Sequence, residues 1–195
     1  MKKIEIIIIL TLVVIIGGCL YWWNKDNHLE GGSVGTTALS PTQIKSIEAI
    51  GQWEFLSIND EELIDTTRHG FFGDDKLVRI YYGTLHLGID MKDVKEGWMK
   101  TEQDTIICTL PPIKLLDNNF IDEAKTRSFF ETGKWTGKDR QALYDRVYSS
   151  MKKRCLSPSH LASAENNARS QFYKMLKALG FSQVKVEFEQ EDDHQ

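Results

Sequence analysis

Three cysteines, four prolines and no basic run longer than three residues leave few familiar signatures in this 195-residue chain. Each shortage excludes something. No Cys-x-x-Cys pair and no His/Cys spacing of zinc type occurs, so a structural metal site has no ligands in sequence. Cys19 falls in a hydrophobic segment. Cys108 sits in an alternating apolar run and reads as a small buried hydrophobe, and Cys155 ends a predicted helix; a disulfide between them is the weaker reading. A nucleic-acid ligand needs a basic stripe to neutralise phosphates, and the formal net charge is -4. The one basic cluster, Lys152, Lys153 and Arg154, lies at a predicted helix end, where cations complement the helix dipole. Gly-x-Ser-x-Gly and a cysteine with a matched histidine are missing, and Gly83, Gly88 and Gly97 follow neither dinucleotide nor Walker spacing. No catalytic, cofactor-binding or metal residue is therefore assigned, and no cofactor is expected.

What the chain does have begins at residues 6–23, eighteen consecutive residues without a charge. As a helix rising about 1.5 Å per residue they span about 27 Å, close to the hydrocarbon thickness of a bilayer. Lys2 and Lys3 precede the segment and predict a cytoplasmic N-terminus, and Tyr21, Trp22 and Trp23 end it as an interfacial belt. An Ala-x-Ala cleavage site is absent. Ile15-Ile16-Gly17-Gly18-Cys19 resembles a bacterial lipobox, so a lipoprotein acylated at Cys19 is the rival reading. The aromatic trio favours the intact helix, because a lipid-anchored chain needs no belt there. Both readings attach the chain to a bacterial inner membrane with its bulk on the extracytoplasmic side.

Residues 24–41 are polar and rich in Gly, Ser and Thr, which predicts a flexible linker; His28 within it reads as solvated. Residues 42–189 are expected to form a single α+β domain, and 190–195 an acidic tail. A short helical turn is predicted over 42–50, strands over 53–58 and 62–68, and the longest strand over 77–89, LVRIYYGTLHLGI. Between the last two, Gly70 and Gly73-Asp74-Asp75 supply turn chemistry. Asp90 is a candidate N-cap for residues 91–96, and Pro111-Pro112 ends a strand over 104–110. Residues 120–131 are predicted helical with Asp117 or Asn118 as cap. A second helix is predicted over 138–155, with Leu143, Val147 and Met151 four apart. Ser157-Pro158 starts a third, with Leu161, Ala164, Ala168, Phe172, Met175, Leu176 and Leu179 on one stripe before Gly180. Val184, Val186 and Phe188 alternate as a closing strand. The fold class is thus an antiparallel, strand-rich first half with long helices and a C-terminal strand after it, plus one N-terminal membrane helix.

The runs YYGTLHLGIDMKD at 81–93 and DTIICTLPPIKLLD at 104–117, followed by a small-residue-rich helix and ALGFSQVKVEF ending at Phe188, resemble the bacterial domain-of-unknown-function 4230 family. The resemblance covers residues 53–188. It implies a single N-terminal membrane segment and transfers no activity and no site residue. The order of elements also loosely resembles the SPFH domains of membrane scaffolds.

Polar residues that chemistry could use are scattered. His86, Asp90 and Asp93 lie near the end of the long strand, but four strand residues separate His86 from Asp90 by about 13 Å. Asp90 reads first as a cap, Gly88 as a close backbone approach or bulge, and His69 and His160 as surface residues. Phe71-Phe72, between Gly70 and Gly73 at an expected hairpin tip, cannot both point inward and so suggest a contact with a partner or with lipid. These features favour a non-enzymatic binding or scaffold module, whose partners are the bilayer and another protein or a second copy. The alternative is a hydrolase-like enzyme of unrecognised type using the His and Asp groups near the end of the long strand.

Overall fold

The two stretches richest in β-branched and aromatic residues pair with each other along their whole length. The computed structural model describes residues 39–189, so the expected membrane helix, nearly all of the linker, Cys19, His28 and the acidic tail lie outside the described residues. Strand β1 (Gln52–Arg68) runs antiparallel to β2 (Asp75–Asp90), from Gln52 opposite Asp90 to Arg68 opposite Asp75. The two shorter strands expected over 53–58 and 62–68 are therefore one. Asn59, Asp60 and Glu61, which break the apolar pattern, stay in the ladder opposite Thr84, Gly83 and Tyr82.

A bulge between Glu54 and Leu56 shifts the register and with it the face on which β1 side chains fall. Trp53 before it and Phe55 within it turn toward the core; Leu56, Ile58 and Ile64 do so after it. The expected role of Gly88 is visible here, because a β-carbon on it would lie 1.9 Å from the Trp53 carbonyl oxygen.

Short helix α1 (Pro41–Glu48) precedes β1 and starts with a capping box between Ser40 and Gln43. Asp90 accepts from the Lys92 N–H at 3.0 Å and caps a 3-10 turn, Met91–Asp93. Strands β3 (Met99–Glu102) and β4 (Thr105–Leu110) form a hairpin, and Pro111 ends β4 as expected. Strand β5 (Lys114–Leu115) pairs with β2 near its C-terminal end.

Residues 120–131 correct the sequence reading. No helix forms; Asp122 accepts from the Ala124 and Lys125 N–H groups, an Asx turn, and strand β6 (Arg127–Glu131) pairs with β2. Side-chain to backbone bonding of this kind competes with a helix, and the Phe129-Phe130 pair favours extended backbone. Asp117, expected to cap that helix, accepts instead from Asn119 N–H at 2.8 Å.

Helices α2 (Gly137–Cys155) and α3 (Pro158–Ala178) pack against β1 and β2, and α3 also meets β7 (Gln183–Phe188). Strand β7 lies parallel to β4, an orientation the sequence left open. Leu143, Val147, Met151 and Cys155 bury the face of α2; Ala164, Ala168, Phe172 and Leu176 bury that of α3. Phe172 is the hub, with ring centroids of Trp53, Phe55 and Trp98 at 5.0, 6.2 and 6.4 Å. Ser157 occupies the cap position of α3, yet its side chain makes no cap hydrogen bond; Pro158 sets the start. His160 is half buried in the joint between the helices, its Nδ1 3.1 Å from the Arg154 carbonyl oxygen and 3.2 Å from that of Cys155. Cys108 and Cys155 are free and buried, and burial pushes their thiols up to about 12 and about 11. Among the described residues no helix is long and apolar enough to cross a membrane.

Asp60 and Glu62 fall on the helix-facing side of β1 after the bulge, and Arg154 of α2 meets both, at 2.8 and 2.7 Å. That basic cluster therefore does more than complement a helix dipole. The carboxylates are 20% and 19% exposed, so loss of the guanidinium leaves two like charges side by side in a half-dry seam. Arg154→Met is expected to destabilise the domain by about 1–2 kcal/mol in denaturant titrations at neutral pH, discounted for the exposure of Arg154 itself. Most of that loss should disappear when Asp60→Asn and Glu62→Gln are present; an equal loss in both backgrounds would show that the arginine acts through packing alone.

Candidate functional site

The hairpin carries its helices on one face only, and the other face becomes a groove. Asn59 and Glu61 of β1 and Tyr82, Thr84 and His86 of β2 project from that open face. The chain after β5 follows the free edge of β2 closely: Leu116 N–H donates to His86 O at 2.9 Å, Thr84 N–H to Phe120 O at 2.9 Å, and Asp122 N–H to Tyr82 O at 2.8 Å. Gly83 makes this approach practicable, since a β-carbon there would come within 3.1 Å of the Phe120 carbonyl oxygen. The third wall adds Asp117, Asn119, Asp122 and Lys125, and the enclosed volume is about 650 Å³.

Inside the groove Thr84 Oγ1 donates to Asn59 Oδ1 at 2.9 Å. His86 Nδ1 lies 2.9 Å from Glu54 Oε2 and 3.5 Å from Ser57 Oγ. A carboxylate on Nδ1 favours the tautomer protonated there and leaves Nε2 as the acceptor. Such a pair can orient a water or a ligand hydroxyl. Asn59, Thr84, Tyr82 and Asn119 offer neutral donors and acceptors, and Glu61 and Asp117 add negative charge. Among the described residues no three His, Cys, Asp or Glu side chains are placed to hold a metal ion.

A family model described as a protein of unknown function (DUF4230) matches residues 45–186. The chain belongs to this family. No curated protein and no solved structure matches it, and the SPFH likeness gains no support from them.

In this DUF4230 chain the polar residues singled out from sequence do not meet. His69 pairs with Asp74 at 2.9 Å near the hairpin tip. His86 belongs to the groove. Asp90 and Asp93 lie beside Lys114 of β5, which bridges them. Sequence reasoning missed Lys114, Glu54, Asn59, Tyr82, Thr84 and Asn119. The apolar/polar alternation of 82–86 was the available signal, because it predicts one wet face; only the strand register shows which β1 residues share it.

Phe71 and Phe72 occupy the centre of the β1–β2 turn and are 96% and 99% exposed. Their rings stack edge to face at 5.1 Å. The turn needs glycine at both ends: Gly73 has φ +133°, and a β-carbon on Gly70 would stand 2.7 Å from the Gly73 carbonyl oxygen. Leu63 of β1 and Phe129 and Phe130 of β6, the strand paired with β2, are further exposed apolar residues.

Asp90 is held by the Lys92 N–H and the Gln52 amide, with Lys114 adding charge, and these lower its carboxyl below the ordinary range. A depressed folded-state value stabilises at pH above the unfolded value and is lost as pH falls through the folded one. Asp90→Asn is therefore expected to lower the melting temperature at pH 7. The gap to wild type should close as the pH drops below about 4, the usual carboxylate region. A gap that persists at pH 2 would mean that the cap acts through geometry and not through charge.

Proposed function

We propose that the chain is a single-pass protein of the bacterial inner membrane, its N-terminus cytoplasmic and its α+β domain extracytoplasmic, acting as a non-enzymatic binding or scaffold module. Residues 6–23 serve as the anchor and residues 24–41 as the linker. The supports are the uncharged run, the flanking Lys2 and Lys3 and the Tyr21-Trp22-Trp23 belt. The observation that carries the module reading is the bare Phe71-Phe72 tip. Two phenylalanines held at full exposure by a glycine-ended turn are an unfavourable surface in isolation, and the arrangement favours insertion into a partner or into lipid.

One specific observation favours the enzyme reading: the Glu54–His86 pair opens onto the groove. It lacks a neighbouring nucleophile on the second ring nitrogen, and Ser57 sits on the same nitrogen as Glu54. The groove accordingly ranks as a binding surface before it ranks as a catalytic one.

Topology is read by an impermeant maleimide on Lys138→Cys in a Cys19→Ser background, where Cys108 and Cys155 are buried. Labelling in cells with only the outer envelope opened is the expected result; labelling that requires rupture of the inner membrane reverses the orientation. Retention of Cys19→Ala in the membrane after carbonate extraction supports the helix, and its release would establish the lipid anchor instead.

Crosslinking in intact membranes should give a homo-oligomer ladder or one dominant partner, severalfold reduced in Phe71→Ser/Phe72→Ser with an unchanged melting temperature. A product unaffected by that double variant would remove the tip from the interface.

A further inference from the structure

On the open face the polar groove reaches the row of Glu61 and Tyr82, and toward the tip the same face turns apolar. Directly paired residues of an antiparallel ladder share a face, so Leu63 lies beside Ile80, and Ile80 beside Arg127 of β6. One row further on, Val78 lies between Asp65 and Phe130. Val78 is buried but stands outside the core cluster beneath the sheet, so this face carries an apolar patch of its own. Leu63 and Phe130 remain 58% and 49% exposed on it. Phe129, the extra residue where β6 bulges against Val78 and Arg79, is 69% exposed beside them.

Charge decides what fits such a patch. Glu61 stands on its β1 flank and Arg127 on its β6 flank; both are exposed, and among the described residues neither has a partner. The other charges nearby are already matched, Asp65 by Lys76 at 3.5 Å and Lys125 by Asp122 at 3.2 Å. An anionic lipid surface answers Arg127 and repels Glu61, and a partner of one sign likewise answers a single flank. A second copy turned by half a revolution answers both, because it presents an arginine to each glutamate.

We infer that two copies of the chain associate face to face through this patch, about a two-fold axis that runs along β2. That axis lays β1 of each copy over β6 of the other, so the Glu61–Arg127 and Leu63–Phe130 contacts each form twice. Glu61 and Arg127 stand one row apart along the strands, an offset of about 7 Å that two long side chains span. The same axis brings both Phe71-Phe72 tips to one end of the pair. Leu63, Phe129 and Phe130 at these exposures offer on the order of 300 Å², and the tip about 400 Å². Together they come close to the roughly 800 Å² per partner of a stable interface. The inference rests on the module reading and names its partner.

The test uses full-length chains carrying two different tags, co-expressed and crosslinked in intact membranes, with sedimentation of the detergent-solubilised protein as a second readout. The expected result is a species of two chains that holds both tags. Glu61→Arg or Arg127→Glu alone sets like charges against each other and should reduce that species at least about tenfold, with an unchanged melting temperature. The doubly reversed chain, Glu61→Arg/Arg127→Glu, should regain most of the wild-type yield. That rescue marks a self-complementary face, since neither a lipid surface nor a different protein follows the reversal. Single reversals without effect, or a double reversal no better than either single, overturn the inference. Loss of the species in Phe71→Ser/Phe72→Ser alone, with the charge variants indifferent, keeps the tip reading and removes this face. A wild-type chain that crosslinks only to a different protein keeps the module reading and removes the second copy.

Discussion

The Trp53 carbonyl oxygen approaches β2 at Gly88, where the strand has no side chain. A β-carbon on Gly88 would lie 1.9 Å from that oxygen, so the extra residue of β1 can be accommodated there and the ladder resumes in a new phase. The consequence runs through the rest of the domain. Up to and within the bulge the odd positions Trp53 and Phe55 meet Phe172 of α3. After it the even positions face the helices, and the odd positions Ser57, Asn59 and Glu61 are released to the open face beside Tyr82, Thr84 and His86. A hairpin without the bulge would carry Asn59 and Glu61 into the core and leave Ile58 and Ile64 in water. Core and groove are two results of one register shift.

The same shift decides where charge sits on the buried side. Asp60, Glu62 and Arg79 all face the helices, positions where an unpaired ion is expensive. The two acids are answered by a single arginine from the last turn of α2. Arg79, toward the other end of the hairpin, lines a pocket with Gly137 of the first turn of that helix, and its charge lowers the Glu131 carboxyl, which Arg140 holds at 2.6 Å. One helix thus meets acids at its C-terminal end with a cation, and at its N-terminal end its own Asp139 carboxylate accepts from the Thr136 N–H and pairs with Arg68 at 2.9 Å.

Much of this architecture was legible because period and punctuation agree. Residues 77–89 are too β-rich for a helix, Pro111-Pro112 ends a ladder, and the stripe from Leu161 to Leu176 fits one helical face. The change of phase was also written in the chain, since Trp53, Phe55, Leu56 and Ile58 cannot share one face of a regular strand. Residues 120–131 were misread because their spacing suits a helix while Asp122 ties its own loop into a turn and Phe129-Phe130 prefer a strand. The groove was the hardest part. Its three walls come from residues 59–61, 82–86 and 117–125, and no spacing within the chain encodes how β1 registers against β2 or how the later loop lies along that strand.

Length separates the functions that these surfaces can serve. Seventeen residues of β1 at about 3.3 Å each put the Phe71-Phe72 turn about 55 Å from Gln52, at the end of the hairpin opposite α1. Two phenylalanine rings bury about 400 Å² at most, half of what a stable interface needs from one partner. The tip by itself therefore makes a weak contact, and an interface of stable size needs further surface from the rest of the domain, for which the exposed Leu63, Phe129 and Phe130 offer apolar area.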